Sequence, residues 1–184
     1  MSLLGDPIMT ISAAAALAAV FAAAAVAKLR DLSIFAAVVQ NFRILPEFLA
    51  RPFAYVLPPV ELAVAVGVLV EASRGWAAAG ALALLAAFTV AIAVNLARGR
   101  REIDCGCFGT SHSQTLSGWL IGRNAALALL AAICLGAPSV TRPVHWLDLL
   151  TGLGGGATLA LLTFAADQLL ALARPEPEAP HRSA

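Results

Sequence analysis

The stretch IMTISAAAALAAVFAAAAVAKLRD, residues 8–31, decides the fold class of this chain. Residues 8–27 carry no charged side chain, and a helix of about 20 apolar residues is long enough to cross the hydrocarbon core of a bilayer. The run is long for the apolar segment of a signal peptide and has no basic residue before it, which favours a membrane span. The sequence therefore predicts a first transmembrane helix that ends at KLRD.

The composition of the whole chain also indicates a membrane protein. Of its 184 residues, 60% are hydrophobic and 12% are charged, and the mean hydropathy is +0.85. Soluble domains carry about 25% charged residues, so this chain has too little polar surface to cover a globule in water. The sequence has no basic tract with interleaved aromatic residues, so nucleic-acid binding is not predicted. It also has no phosphate-binding glycine loop and no HExxH pair.

Four further apolar segments have the length of a membrane span. They cover residues 53–72, 76–97, 116–136 and 147–172. The predicted fold is an all-α, polytopic transmembrane helical bundle of about five spans over residues 1–173, with no strand. Residues 174–184 form a short Pro-rich segment, which is predicted to be a disordered tail.

A shorter apolar segment lies between the first two spans. In residues 32–45, apolar side chains recur at helical spacing, at Phe35, Val38, Val39 and Phe42. Polar residues at 40, 41 and 43 interrupt the run, so this segment predicts an interfacial helix, or one tucked under the bundle. Pro46 and Pro52 are predicted to break the chain before the second span.

The distribution of basic residues predicts the orientation of the bundle, because Lys and Arg are enriched in cytoplasmic loops. One side of the predicted topology carries Lys28, Arg30, Arg43, Arg51, Arg98, Arg100, Arg101, Arg174 and Arg182. The opposite side carries only Arg74 and Arg142. This asymmetry predicts that the polar loop of residues 98–115 faces the cytoplasm.

That loop contains DCGCFG, residues 104–109, with the two closely spaced cysteines Cys105 and Cys107. Gly106 permits the bend that brings such residues within the Cα separation of about 7 Å that a disulfide requires. A small ring of this kind is strained and therefore suited to thiol–disulfide exchange. A redox couple is favoured; metal binding together with His112, or an inert structural role, stays open.

Several other residues invite both a functional and a structural interpretation. Glu61 lies inside a span, where a carboxylate either handles protons beside a redox or quinone site or is hydrogen-bonded to Asn95 or to a neighbouring helix. Lys28 and Asp31 are expected to form an exposed pair at a helix end. Arg123, about two turns into its span, is expected to snorkel to the interface.

Structural roles are predicted for the remaining cysteine, the histidines and a glycine cluster. Cys134 is expected to be a small buried hydrophobe. His112 and His145 are expected to lie in surface loops. Close helix packing is predicted for Gly152, Gly154, Gly155 and Gly156.

The order KLRD, LPPVEL and DCGCFG along one small helical bundle resembles the MauE family of methylamine-utilisation proteins. More widely, it resembles the DoxX/MauE group of redox-associated membrane proteins, which implies a DoxX-like bundle. The most specific element is DCGCFG, and the resemblance extends over most of the chain. It implies an inner-membrane helper in the maturation of methylamine dehydrogenase, whose periplasmic small subunit is rich in disulfides.

The resemblance also implies a thioredoxin-like partner of the MauD type, and it gives Cys105 and Cys107 a thiol–disulfide role. No cofactor is expected, and a quinone has no support from a sequence motif. The alternative is a non-redox scaffold or transport component of the same process, with structural or metal-binding cysteines. A periplasmic client disagrees with the cytoplasmic loop that the basic residues predict, so the electron route stays open.

Overall fold

The computed structural model describes residues 6–100, 116–136 and 144–172, and these residues form six helices. They are α1 (Pro7–Arg30), α2 (Leu32–Asn41), α3 (Glu47–Gly67), α4 (Arg74–Ala97), α5 (Gly118–Gly136) and α6 (Trp146–Leu172). All except α2 are long and apolar enough to cross a membrane. The prediction of an all-helical bundle with five spans and one shorter helix is confirmed for this part of the chain.

The central element is α1, which packs against α3, α5 and α6. Its N-terminus is capped by Asp6, whose carboxylate accepts a hydrogen bond from the backbone N–H of Ile8 at 2.9 Å. Half of the buried residues of α1 are alanines, and such small side chains allow neighbouring helices to approach closely. The buried core therefore consists largely of alanine, leucine and valine around α1.

The turn between α1 and α2 is fixed by Asp31. Its carboxylate accepts hydrogen bonds from the backbone N–H of Ile34 at 3.0 Å and from the Ser33 hydroxyl at 2.8 Å. Both hydrogen bonds lower the pKa of Asp31 below its usual value, and the bond from Ile34 has the larger effect. Asp31 thus starts α2 as an N-cap, and α2 then packs against α3 through Phe35 and Ala36.

The second span begins earlier than the sequence predicts. Pro46 is the N-cap of α3, as a chain-breaking proline should be, but Pro52 lies inside the helix and does not break it. Pro58 and Pro59 also lie inside α3. Membrane helices tolerate internal prolines because neighbouring groups can satisfy the freed backbone carbonyls.

Residues 101–115 contain Cys105 and Cys107, and we call them the cysteine interval. The described residues on both sides of this interval are attached to one end of the bundle. Arg98 donates a hydrogen bond to the carbonyl of Arg43 at 3.2 Å, which joins the end of α4 to the segment after α2. Arg100 donates to the buried side chain of Asn95, also at 3.2 Å. On the far side of the interval, Leu116 is buried beside Ile92 in a small apolar cluster. The chain therefore leaves and re-enters the bundle at the same end.

The first half of α6 lies parallel to α1 in close contact through glycines. A Cβ atom at Gly156 would lie 2.5 Å from Cβ of Ala15, and one at Gly152 would lie 2.5 Å from Cγ2 of Ile11. Gly155 also faces α1, whereas nothing lies within 4 Å of a Cβ at Gly154. Close packing is thus confirmed for three of the four predicted glycines and is wrong for Gly154.

We expect Gly156→Val to lower the free energy of unfolding by about 1–3 kcal/mol, because the added side chain forces α1 and α6 apart. The measurement is SDS-driven unfolding in mixed micelles, followed by far-UV circular dichroism. Gly154→Val is the matched control and should change stability by less than about 0.5 kcal/mol. Equal effects of the two variants would contradict the assigned helix interface.

Candidate functional site

A buried ion pair between α1 and α3 lies at the centre of the candidate site. The Lys28 ammonium donates to both carboxylate oxygens of Glu61, at 2.7 and 2.8 Å. Lys28 is 4% exposed and Glu61 is 1% exposed. The ammonium also lies over the rings of Phe35 and Phe88, at 5.5 and 5.7 Å from their centroids. The two charges cancel, and the aromatic faces stabilise the side of the ammonium that the carboxylate does not cover.

This geometry corrects one sequence expectation and confirms part of another. Lys28 and Asp31 do not form an exposed helix-end pair, because Lys28 points into the bundle while Asp31 caps α2. Glu61 is hydrogen-bonded to a neighbouring helix, as one of its two structural alternatives predicts, and its partner is Lys28 on α1. The other alternative, Asn95, instead donates its amide to the carbonyl of Ala91 at 3.0 Å. Proton handling by Glu61 stays a prediction, and its nearest proton-bearing partner is the Lys28 ammonium.

One sequence signal could have identified Lys28. It is the only lysine in the chain, and the other eleven of the 12 basic residues are arginines. An ammonium is a compact point charge, whereas a guanidinium is a wide planar fork. The contact with one carboxylate between two phenyl rings requires the compact group.

An apolar cavity of about 260 Å³ adjoins the ion pair. Its walls come from α2, α3 and α4 and from Phe42, Ile44 and Leu45 between α2 and α3. Among the described residues that line it, Lys28 is the one with a polar side chain. The predicted apolar face of α2, made by Phe35, Val38, Val39 and Phe42, forms one wall. The face that the sequence assigned to an interfacial helix therefore encloses a space inside the bundle.

A second buried ion pair joins α5 to α6. Arg123 donates to Asp167 at 2.9 Å, and the Trp119 indole N–H donates to the other oxygen of that carboxylate at 2.8 Å. Arg123 is 7% exposed, so the expectation that it snorkels to the interface is wrong. A carboxylate on a neighbouring helix supplies the counter-charge that the interface would otherwise provide.

The second pair continues into a hydrogen-bonded network that reaches α4. Arg123 contacts Asn124 at 3.4 Å, and the Asn124 amide donates to the Thr89 hydroxyl at 3.2 Å. The Arg123 guanidinium also lies near enough to the Lys28 ammonium to repel it. The two ion pairs are therefore neighbours in the bundle, and together we call them the polar centre. The sequence analysis did not identify Asp167 as a member of it.

The predicted redox and metal-binding residues fall mostly outside the part of the chain that the structure describes. Cys105, Cys107 and His112 lie outside the described residues. Cys134 is 3% exposed in the core, so its prediction as a buried hydrophobe is confirmed, and His145 is exposed before α6. Within residues 6–100, 116–136 and 144–172, no group of three His, Cys, Asp or Glu side chains could hold a metal ion.

Five membrane-spanning helices around a buried, charge-balanced polar centre define a multi-pass membrane protein. Residues 6–137 match the family described as methylamine utilisation protein MauE. The chain is 44% identical to the methylamine utilization protein MauE of Methylorubrum extorquens over 172 residues, which cover 94% of this chain and 92% of the relative. It is 46% identical to the MauE protein of Paracoccus denitrificans over 154 residues, covering 83% and 82%.

The MauE protein of Paracoccus versutus is 42% identical over 169 residues, covering 90% of this chain and 89% of the relative. The chain therefore belongs to the MauE family and has a role in methylamine utilisation. No solved structure matches the chain.

Proposed function

We propose that this protein assists the maturation of methylamine dehydrogenase through a thiol–disulfide couple formed by Cys105 and Cys107 in the bacterial inner membrane. The proposal is carried by membership of the MauE family together with the one closely spaced thiol pair in a chain of three cysteines. Its client would be the disulfide-rich small subunit, and its redox partner a thioredoxin-like protein of the MauD type.

The chemistry proposed for the couple is ordinary thiol–disulfide exchange. A client thiolate attacks the Cys105–Cys107 disulfide and forms a mixed disulfide, which a second client thiolate resolves. The client gains one disulfide and gives up two electrons and two protons, and the pair becomes a dithiol. The oxidised partner protein then accepts these electrons through a second exchange and restores the pair.

The described residues on both sides of the cysteine interval support a location for this thiol–disulfide exchange close to the bundle. Arg100 is bonded to Asn95, and Leu116 is buried beside Ile92, so both borders are attached to the bundle. Five residues of fully extended chain span at most about 18 Å, which limits the distance between Arg100 and Cys105. Exchange is therefore proposed to take place near the end of the bundle that holds the polar centre.

In a methylamine-grown host, we expect Cys105→Ser and Cys107→Ser each to reduce mature small subunit by at least tenfold, because either change removes one sulfur of the couple. The measurement is immunoblotting of the subunit on non-reducing gels. Cys134→Ser is the matched control, since that thiol is buried in the core, and it should leave the amount unchanged. Normal maturation in both loop variants would exclude the couple.

A second measurement separates a redox couple from inert or metal-binding cysteines. The purified protein is alkylated before and after reduction and weighed by mass spectrometry. A redox couple gains two labels only after reduction, whereas free thiols are labelled at once and bound metal appears in elemental analysis. Labelling of intact cells with a membrane-impermeant reagent then reports the compartment that the loop faces.

A further inference from the structure

We propose that the cavity beside Lys28 and Glu61 binds an uncharged lipophilic molecule whose carbonyl oxygen accepts a hydrogen bond from the Lys28 ammonium. The ring ketone of a membrane quinone and the ester carbonyl of a neutral glycerolipid share this chemistry. The proposal concerns a ligand site between α2, α3 and α4 and does not depend on the redox role of the cysteines.

The Lys28 ammonium can donate one more hydrogen bond than Glu61 accepts. An ammonium has three N–H donors, and its acceptors among the described residues are the two oxygens of Glu61. Its remaining surroundings are the faces of Phe35 and Phe88 and the cavity that it lines. Because Lys28 is only 4% exposed, its ammonium has little access to bulk water, and a carbonyl oxygen in the cavity is placed to accept the third bond.

The charge of the site selects against an ionised ligand. Lys28 and Glu61 cancel, so an entering carboxylate or ammonium would bring an unbalanced charge into an apolar space. A neutral carbonyl compound adds an acceptor without adding charge. The polar requirement of the site is therefore one oxygen atom, because the other described residues that line the cavity are apolar.

The mouth of the cavity indicates where the ligand comes from. Ile44 and Phe53 line the cavity and are 43% and 41% exposed, respectively. Exposed apolar side chains on a multi-pass bundle face the lipid, so the opening is accessible to molecules dissolved in the membrane. A volume of about 260 Å³ is slightly below the range of about 300–1,000 Å³ typical of ligand pockets, which suits a head group whose tail extends into the lipid.

The test uses the delipidated full chain in dodecyl maltoside and measures binding by native mass spectrometry. Decylubiquinone tests the ring ketone, dioleoylglycerol tests the ester carbonyl, and pentadecylbenzene is a lipophile without a carbonyl group. Ala91→Phe fills the cavity from α4, and Ala93→Phe makes the same change at an exposed position of that helix. The double variant Lys28→Met/Glu61→Leu removes the donor while keeping the site neutral.

We expect one equivalent of decylubiquinone or dioleoylglycerol to bind saturably, and whichever probe binds identifies the source of the carbonyl. Ala91→Phe should weaken binding at least tenfold, and Ala93→Phe should bind like the native chain. Loss of the hydrogen bond in the double variant should cost about tenfold or more, and this variant keeps the test valid if Ala91→Phe does not fold. Equal binding of pentadecylbenzene, unchanged binding in the double variant, or no saturable binding of either carbonyl probe would overturn the proposal.

Discussion

Replacing Lys28 with methionine is expected to lower the free energy of unfolding by about 3–5 kcal/mol, because it leaves the Glu61 carboxylate buried without its counter-ion. Glu61 is 1% exposed and accepts its hydrogen bonds from Lys28 alone among the described residues. The measurement is SDS-driven unfolding in mixed micelles.

The double variant Lys28→Met/Glu61→Leu separates the ion pair from the packing of its side chains. Removing both charges should restore stability to within about 1 kcal/mol of the native protein, because an apolar pair requires no desolvation of ions. Arg30→Met is the control for loss of a positive charge, since Arg30 is exposed two residues further along the chain. If Lys28→Met is as stable as Arg30→Met, the buried ion pair does not stabilise the fold.

Replacing Arg123 with methionine is the second change from which we expect a loss of about 3–5 kcal/mol. Asp167 is 3% exposed, and the variant leaves the Trp119 indole N–H as the remaining hydrogen-bond donor to its carboxylate among the described residues. The first half of α6 is held on α1 through glycines, whereas this ion pair holds its second half to α5. We therefore expect the C-terminal half of α6 to separate before the rest of the bundle unfolds.

Limited proteolysis during the SDS titration measures this separation, with cleavage in α6 expected at a lower SDS concentration than loss of helicity. Arg123→Met/Asp167→Asn should recover much of the stability, because the amide oxygen still accepts from Trp119 and no charge is left buried. Arg51→Met removes an exposed guanidinium and should change stability by less than about 0.5 kcal/mol. Simultaneous loss of all helices in Arg123→Met would contradict a local role at α6.

Four of the five charged side chains that are buried among the described residues form the two ion pairs, and the fifth, Asp148, accepts a hydrogen bond from the backbone N–H of His145 at the start of α6. Each cation lies on one helix and its carboxylate on another, so each pair fixes the relative position of two helices while the net charge of the centre stays zero. Such groups within a membrane bundle are expensive to bury unless they are paired, and they commonly mark functional sites. The cavity beside Lys28 places one of these pairs within reach of a ligand from the membrane.

The sequence by itself determined the number of spans, the short α2 and its apolar face, because these depend on hydropathy and helical spacing along the chain. It also identified Glu61 as unusual, since a carboxylate within an apolar span needs a partner. The cysteine motif and the family resemblance came from the sequence as well, and Cys105 and Cys107 lie outside the described residues.

Only the tertiary structure decided which charges meet. Lys28 and Glu61 are 33 residues apart, and Arg123 and Asp167 are 44 residues apart, so helical spacing within one element cannot pair them. From local spacing, Lys28 was predicted to pair with Asp31 and Arg123 to extend to the membrane interface. Both cations are instead buried, because carboxylates on other helices neutralise them. Hydropathy fixes which segments enter the membrane, whereas the pairing of buried charges between helices, together with the close packing of glycines and alanines, fixes how they are arranged.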